Sequence, residues 1–274
     1  MQRAVLIMFL AMSCIPAGDA AGKLLSNTLG VHPGFISWSR FAIGLVLVLP
    51  FLPPRTWALL RDWRIWARAA LLAVGITSIQ LALRSVDLGT VFAAFFIGPI
   101  TSYVLSIIFL KEPVTPLRTV LILLGFSGVL LVVRPGFETD PGVFWAVTAG
   151  LCYGAFLTMS RWLSDLAPPI ALTFTQLFIA CLLLTPAGLL TWPSLTLEIS
   201  ALTFLSGAFS MLGNLLLLYA YRVAPATRLA PLVYFQLIAA VVLGWSVFGD
   251  LPDAFTWAGL ALILGAGLTS ARLR

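Results

Sequence analysis

Long apolar stretches alternate along the chain with short polar or proline-rich breaks. A transmembrane helix needs about 20 mostly apolar residues to cross a hydrocarbon core about 30 Å thick. Taking the breaks as loops predicts ten such helices, at residues 4–25, 34–52, 66–83, 90–110, 117–133, 142–163, 169–190, 199–220, 228–248 and 255–271. Runs such as Val120–Val133 do not alternate between apolar and polar positions, so we expect helices and not the strands of a membrane barrel.

The composition agrees with this pattern, since 61% of the 274 residues are hydrophobic and only 9% are charged. Soluble domains are roughly half apolar and a quarter charged. We therefore predict an all-α polytopic membrane protein with no separate soluble domain. The three cysteines have no metal or redox spacing, so we expect small apolar packing from them and no metal site.

The basic residues lie mainly on one side of the predicted spans. If the N-terminus is cytoplasmic, twelve of the sixteen fall inside: Arg3, Arg55, Arg61, Arg64, Arg68, Lys111, Arg118, Arg161, Arg222, Arg228, Arg272 and Arg274. The positive-inside rule then places both termini in the cytoplasm. This distribution makes the lipid bilayer a partner and gives no sign of a nucleic-acid surface. Self-association as a homodimer stays open.

The sequence also matches itself at an offset of 138 residues. Matched positions include Ala11 with Ala149, Cys14 with Cys152, Lys23 with Arg161, Ser26 with Ser164, Arg84 with Arg222 and Glu112 with Asp250. The register divides the chain into residues 1–136 and 137–274, each with five predicted spans. An odd number of spans inverts the second half, and inverted repeats are typical of transporters that work by alternating access. A duplicated scaffold or sensor without transport is the alternative.

Motifs in both halves resemble those of one family. The segment Ala82–Gly125 has Pro99 in the fourth span and Lys111-Glu112 at its end. The second half carries Ala220–Ala226, then Gly244-Trp245 and Phe248-Gly249-Asp250, and the first span ends with Asp19-Ala20-Ala21-Gly22-Lys23. These motifs resemble the EamA-type transporters of the drug/metabolite transporter superfamily. One departure is that Leu237 stands where Pro99 would recur, while Pro231 comes earlier, so the two halves need not bend alike.

The resemblance implies ten helices, both termini in the cytoplasm, no ATP-binding domain and a location in the bacterial inner membrane. It covers the whole chain and is strongest to small bacterial permeases, among them aromatic amino-acid exporters and S-adenosylmethionine carriers. We therefore expect a secondary transporter that exports amino acids, with a carrier of S-adenosylmethionine or nucleotide-type metabolites as the alternative.

Polar side chains in hydrocarbon are costly unless they face protein or water, so those near the middle of spans are candidates for binding substrate. The candidates are Ser13, Gln80, Tyr153, Asn214, Tyr234 and Gln236, together with two aromatic residues of the fourth span, Phe95 and Tyr103. The resemblance implies a central cavity lined by spans one, three, four, six, eight and nine, on which these residues lie. Each could instead join neighbouring helices through hydrogen bonds of about 0.6 to 2 kcal/mol.

Three charged residues form a second group of candidates. Asp19 and Lys23 are four residues apart on one helix face and can neutralise each other as a structural pair or a gate. Arg40 lies within the second span, where it can bind a carboxylate substrate or pair with Asp19.

Catalytic signatures are missing from the sequence. It has a single histidine, His32, and no HExxH, GxSxG or Walker A pattern. We therefore expect neither an enzyme nor a bound cofactor. A membrane-embedded enzyme would instead predict ionisable residues clustered at one membrane face.

Overall fold

The computed structural model describes residues 2–54, 56–86, 88–113, 115–133, 141–233, 235–249 and 254–272. These ranges form twelve α-helices. The first six are α1 (Gln2–Asn27), α2 (Pro33–Val48), α3 (Trp63–Leu83), α4 (Leu88–Phe95), α5 (Ile97–Leu110) and α6 (Pro116–Val133). The second six are α7 (Pro141–Trp162), α8 (Pro169–Leu190), α9 (Leu197–Val223), α10 (Ala226–Val233), α11 (Phe235–Leu243) and α12 (Ala254–Arg272). A π-helical turn at Gly244–Phe248 extends α11.

The helices fit a multi-pass membrane protein. Six of those described are long and apolar enough to cross a membrane, namely α1, α2 with its 3-10 extension, α3, α7, α8 and α9, and shorter apolar helices complete the bundle. Large side chains such as Val46, Phe109 and Phe144 are about two-thirds exposed on the outside of the bundle. Such exposure is unfavourable in water but not in lipid. The count of ten spans and the cytoplasmic position of both termini stay predictions.

The helix boundaries follow the 138-residue offset. α4 (Leu88–Phe95) shifted by this offset gives the bounds of α10, Ala226–Val233. The bounds of α5 likewise give Phe235–Phe248, which is α11 with its π-helical turn. The packing shows the same correspondence. α1 lies against α9, and their counterparts in the other half, α7 and α3, also lie against each other. α2 packs on its own counterpart α8, and α6 packs on α12.

The predicted fourth span is two helices, with a break at Phe96. Pro99 has no N–H to donate to the carbonyl of Phe95, so an α-helical hydrogen bond is lost at this point. Here α5 crosses α7 closely, because a Cβ on Gly98 would lie 2.8 Å from the carbonyl oxygen of Gly150. In the second half, α10 ends at Val233 and α11 begins at Phe235, and Tyr234 lies outside the described residues.

Candidate functional site

A small cavity, mostly apolar but with several polar side chains in its lining, lies inside the bundle between α1, α2, α3, α4, α7, α9 and α11. Its volume is about 30 Å³, which is room for roughly one water molecule. One wall is apolar and includes Ile15, Leu72, Ile76, Ile79 and Phe95. The polar side chains that line the cavity are Asp19, Arg40, Tyr153, Ser210, Asn214 and Gln236.

Asp19 and Arg40, two of these polar lining residues, form a buried ion pair. Nη1 of Arg40 donates to Oδ1 of Asp19, and Nε2 of Gln80 lies 3.4 Å from the same oxygen. The side chains of Arg40 and Asp19 are only 1% and 3% exposed. Breaking a buried pair by removing one partner is strongly destabilising, because the other charge is left without compensation. The pair therefore ties α1 to α2 while presenting both charges to the cavity.

Lys23 lies apart from this pair. Its ammonium group is 5.5 Å from the centre of the Phe248 ring, which is a cation–π contact. The partner of Asp19 is thus Arg40 from the next helix, and not the lysine one turn further along its own helix. Of the two pairings considered for Asp19, the structure contains the one between helices.

Several polar atoms around the cavity have no hydrogen-bond partner among the described residues. They are the hydroxyl of Tyr153, Oδ1 of Asn214, both amide atoms of Gln236 and Nε of Arg40. Oε1 of Gln80 also has no such partner, but Gln80 is not a lining residue of the cavity. Buried polar groups in folded proteins are nearly always paired, so such a cluster calls for an explanation. These donors and acceptors could all bind one polar ligand that enters the cavity.

Aromatic rings form the side of the cavity formed by α4 and α7. The ring centres of Phe95 and Tyr153 are 4.9 Å apart, and Phe156 stacks on Tyr153 at 5.9 Å. Offset ring pairs of this kind stabilise each other by about 0.5 to 1.5 kcal/mol beyond burial.

Some predicted binding residues lie elsewhere. The hydroxyl of Ser13 donates to the carbonyl of Phe9 in its own helix at 2.9 Å. Tyr103 forms a 2.8 Å hydrogen bond with Thr119 and so joins α5 to α6. Neither residue lines the cavity, and Tyr234 lies outside the described residues. Tyr103 thus makes a hydrogen bond between helices and Ser13 one within its own helix, and a part for either residue in binding stays a prediction.

The cavity also has a polar residue that the sequence did not single out. Ser210 lies four residues before Asn214 on α9, so both face the cavity from one side of that helix. The sequence did offer a signal for Ser210, because it lies one helical turn before Asn214, which was a predicted binding residue.

Arg68 differs more strongly from its predicted place among the cytoplasmic charges. It is fully buried in α3. Its guanidinium donates to Ser160 at 2.9 Å, to Gln176 at 2.6 Å and to the carbonyl of Leu172 at 3.2 Å. It also lies 4.9 Å from the centre of the Phe156 ring. Arg68 thus connects α3 to α7 and α8 on the far side of the aromatic rings from the cavity.

A duplicated helical bundle with unpaired polar atoms around a buried cavity is typical of polytopic membrane transporters. The sequence model of the EamA-like transporter family matches residues 2–134 and 140–270. The chain belongs to this family, which is part of the drug/metabolite transporter superfamily.

Known relatives carry transporter names. A riboflavin transporter of Brucella anthropi is 28% identical over 275 residues, covering 95% of both chains. An S-adenosylmethionine uptake transporter of Rickettsia bellii is 26% identical over 256 residues, covering 92% of this chain and 87% of that one. A solved protein structure with 18% identity has a TM-score of 0.80 over 99% of this chain and 97% of that chain, which shows a shared fold.

Proposed function

We propose that this protein is a secondary transporter that carries a small metabolite with an amino-acid head group across the bacterial inner membrane by alternating access. The buried Asp19–Arg40 pair on the wall of the cavity carries this proposal. Amino acids are the first substrate class, and S-adenosylmethionine shares their head group. Export is the direction that we expect from the resemblance to amino-acid exporters.

The charge balance of the site favours a zwitterion over an ion. Desolvating two charges inside the bundle costs several kcal/mol per ion unless their mutual attraction offsets it. A ligand that brings one ammonium and one carboxylate could bind Asp19 and Arg40 respectively, and the total charge would stay zero. Arg40 is suited to this exchange because its Nε has no partner among the described residues and a guanidinium binds carboxylates through two parallel hydrogen bonds.

The remainder of such a ligand would meet the rings and the carboxamides. Phe95 and Tyr153 offer a surface for stacking, which suits an aromatic side chain or an adenine ring. Asn214 and Gln236 each have amide atoms without a partner, and an amide offers both donors and an acceptor to a nitrogen heterocycle.

Transport requires the cavity to change size. At about 30 Å³ it is far smaller than the roughly 300 to 1,000 Å³ of ligand pockets in general. We therefore interpret the structure as a closed arrangement that opens towards one side of the membrane at a time. With no Walker A pattern in the sequence, we expect a substrate or ion gradient to drive the cycle.

A flavin is the second candidate substrate. It is favoured by the rings and carboxamides, and by the likeness to the riboflavin transporter of Brucella anthropi. Riboflavin has no amino-acid head group, so its transport would not need the ion pair to exchange partners. The two candidates thus differ in the residues on which flux should depend.

Uptake into proteoliposomes by the purified protein tests both candidates with amino acids, S-adenosylmethionine and riboflavin. For an amino-acid head group, Asp19→Asn should lower flux by at least about tenfold, the loss expected for a charge-assisted hydrogen bond. For a flavin, Gln236→Leu should lower flux more than Asp19→Asn does.

Ser13→Ala is the matched control, because Ser13 lies on the helix of Asp19 but bonds only within that helix. It should leave flux unchanged. If folded protein transports no member of the panel, the proposal is wrong.

A further inference from the structure

Four helix ends are joined outside the cavity by the side chains of Glu112 and Arg161. Oε1 of Glu112 accepts hydrogen bonds from Nε of Arg161 at 3.3 Å and from the backbone N–H of Ala226 at 3.2 Å. Nη1 of Arg161 also donates to the carbonyl of Tyr221 at 3.0 Å. These contacts join the ends of α5, α7 and α9 to the start of α10, and we name this set of four residues the Glu112 latch.

The latch crosses between the two halves of the chain. Glu112 belongs to the first half, whereas Arg161, Tyr221 and Ala226 belong to the second. Two of the joined helices carry cavity residues, since α7 holds Tyr153 and α9 holds Asn214. The latch therefore holds together helices that must separate if the cavity is to open at this end.

The backbone conformation at Lys111 directs Glu112 towards its partners. Lys111 has a φ of 52°, the left-handed conformation, which is unfavourable for a residue with a side chain. The N–H groups of Lys111 and Glu112 both donate to the carbonyl of Ser106, so the chain turns sharply after α5. This turn brings Glu112 back over the ends of α7 and α10.

The exposure of the latch allows it to break. The side chains of Glu112 and Arg161 are 9% and 27% exposed, against 3% and 1% for Asp19 and Arg40. Arg161 is predicted at the cytoplasmic end of the bundle, where water can replace its partners, so opening does not leave a charge stranded in hydrocarbon.

Both charged residues of the latch have sequence counterparts of the same charge in the repeat. At the 138-residue offset, Glu112 corresponds to Asp250 and Arg161 to Lys23. Lys23 contacts the ring of Phe248, two residues before Asp250 in the chain. Asp250 itself lies outside the described residues. In an inverted repeat, an element at one end of the bundle has a counterpart in sequence at the other end.

We propose that the Glu112 latch is a gate, which keeps the cavity closed at the end of the bundle where α5, α7 and α9 finish. The gate rests on the alternating access that we propose for this protein, but it does not depend on which substrate is carried. The charge distribution predicts that this end faces the cytoplasm.

Labelling of a cysteine in the cavity tests the gate without any substrate. The free thiols of Cys14, Cys152 and Cys181 are first replaced by alanine, and Ser210→Cys places a reporter on the cavity wall. A membrane-impermeant maleimide is then applied to either face of oriented vesicles. Glu112→Gln and Arg161→Gln should each raise the labelling rate from the latch end by about threefold to tenfold.

Asp62→Asn is the control, since Asp62 pairs with Arg64 at 2.6 Å within the first turn of one helix. Arg64 lies 5.3 Å from the ring of Trp162, so this pair is at the same end of the bundle. Breaking it should leave the labelling rate unchanged.

Glu112→Ala distinguishes the hydrogen bond from Ala226 from the ion pair with Arg161. Glutamine can still accept from the N–H of Ala226, whereas alanine cannot, so Glu112→Ala should open the gate further than Glu112→Gln. Thermal unfolding shows that each variant is folded before its labelling is compared.

Equal labelling of folded latch variants and their parent would overturn the gate, as would a rise only from the opposite end. Because labelling needs no substrate, the two proposals can fail separately. If the protein transports a metabolite but the latch variants are labelled no faster than their parent, only the gate is wrong. If the latch variants are labelled faster but no metabolite is transported, only the transport proposal is wrong.

Discussion

The Asp19–Arg40 pair should show strong energetic coupling. Asp19→Asn leaves a buried guanidinium without its counter-charge, and Arg40→Met leaves a buried carboxylate, since both side chains are at most 3% exposed. Each single change should lower the free energy of unfolding by about 3 to 5 kcal/mol. The double variant removes both charges, so its loss should be close to that of one single variant and not to their sum.

Unfolding in mild detergent, followed by circular dichroism in a denaturant titration, measures this double-mutant cycle. From these losses we expect a coupling of roughly 3 kcal/mol or more. The Asp62–Arg64 pair is the comparison, because its side chains are 22% and 33% exposed and such pairs couple by about 0.2 to 1 kcal/mol. Single variants whose losses simply add would refute the view that the two charges compensate each other in a water-poor site.

Three further predictions concern other parts of the bundle. Arg68→Gln should lower the thermal unfolding temperature clearly, because the hydrogen bonds that connect α3 to α7 and α8 are lost. Gly22→Ala should weaken transport more than stability, since its Cβ would lie 2.8 Å from Oε1 of Gln80 and displace that amide from Asp19. Asp62 accepts side-chain hydrogen bonds from Arg64, which lower its pKa. The resulting stability is present above its unfolded pKa of about 3.9 and is lost as pH falls through the folded value, so Asp62→Asn should flatten this part of a pH–stability curve.

Two of these predictions have a control in the chain. Gly265→Ala meets no atom within 4 Å, so it should leave transport unchanged while Gly22→Ala does not. Arg61→Gln removes an exposed basic residue at the end of the short 3-10 helix Thr56–Arg61. It should leave the unfolding temperature unchanged, in contrast to Arg68→Gln. Equal effects at the paired positions would contradict the roles given to Arg68 and Gln80.

The positions of the helices could be predicted from hydropathy because a membrane-spanning helix needs a long apolar run. The predicted span at residues 169–190 has the bounds of α8, and the span at 142–163 differs from α7 by one residue at each end. The break at Phe96 was harder to predict, because proline in a membrane helix produces a bend, a break or no change depending on its neighbours. Pro16, for example, lies inside the continuous helix α1.

The direction in which each polar side chain faces could not be predicted from hydropathy. Tyr103 and Tyr153 both lie within apolar spans, yet one bonds to Thr119 on α6 and the other lines the cavity. Arg68 was counted among the cytoplasmic charges because it lies at the start of the predicted span 66–83, whereas α3 begins at Trp63 and places Arg68 inside the bundle. Both outcomes depend on the rotation of each helix against its neighbours, which an apolar run does not specify.

Counterflow tests the central claim most directly, because it requires a binding site that is exposed to each side of the membrane in turn. Proteoliposomes loaded with unlabelled substrate are diluted into a trace of the labelled compound. We predict transient accumulation of the label in vesicles with the parent protein or Ser13→Ala, and none with Asp19→Asn if the substrate carries an amino-acid head group. Equal label inside vesicles with and without the protein, for amino acids, S-adenosylmethionine and riboflavin alike, would contradict transport through the central cavity.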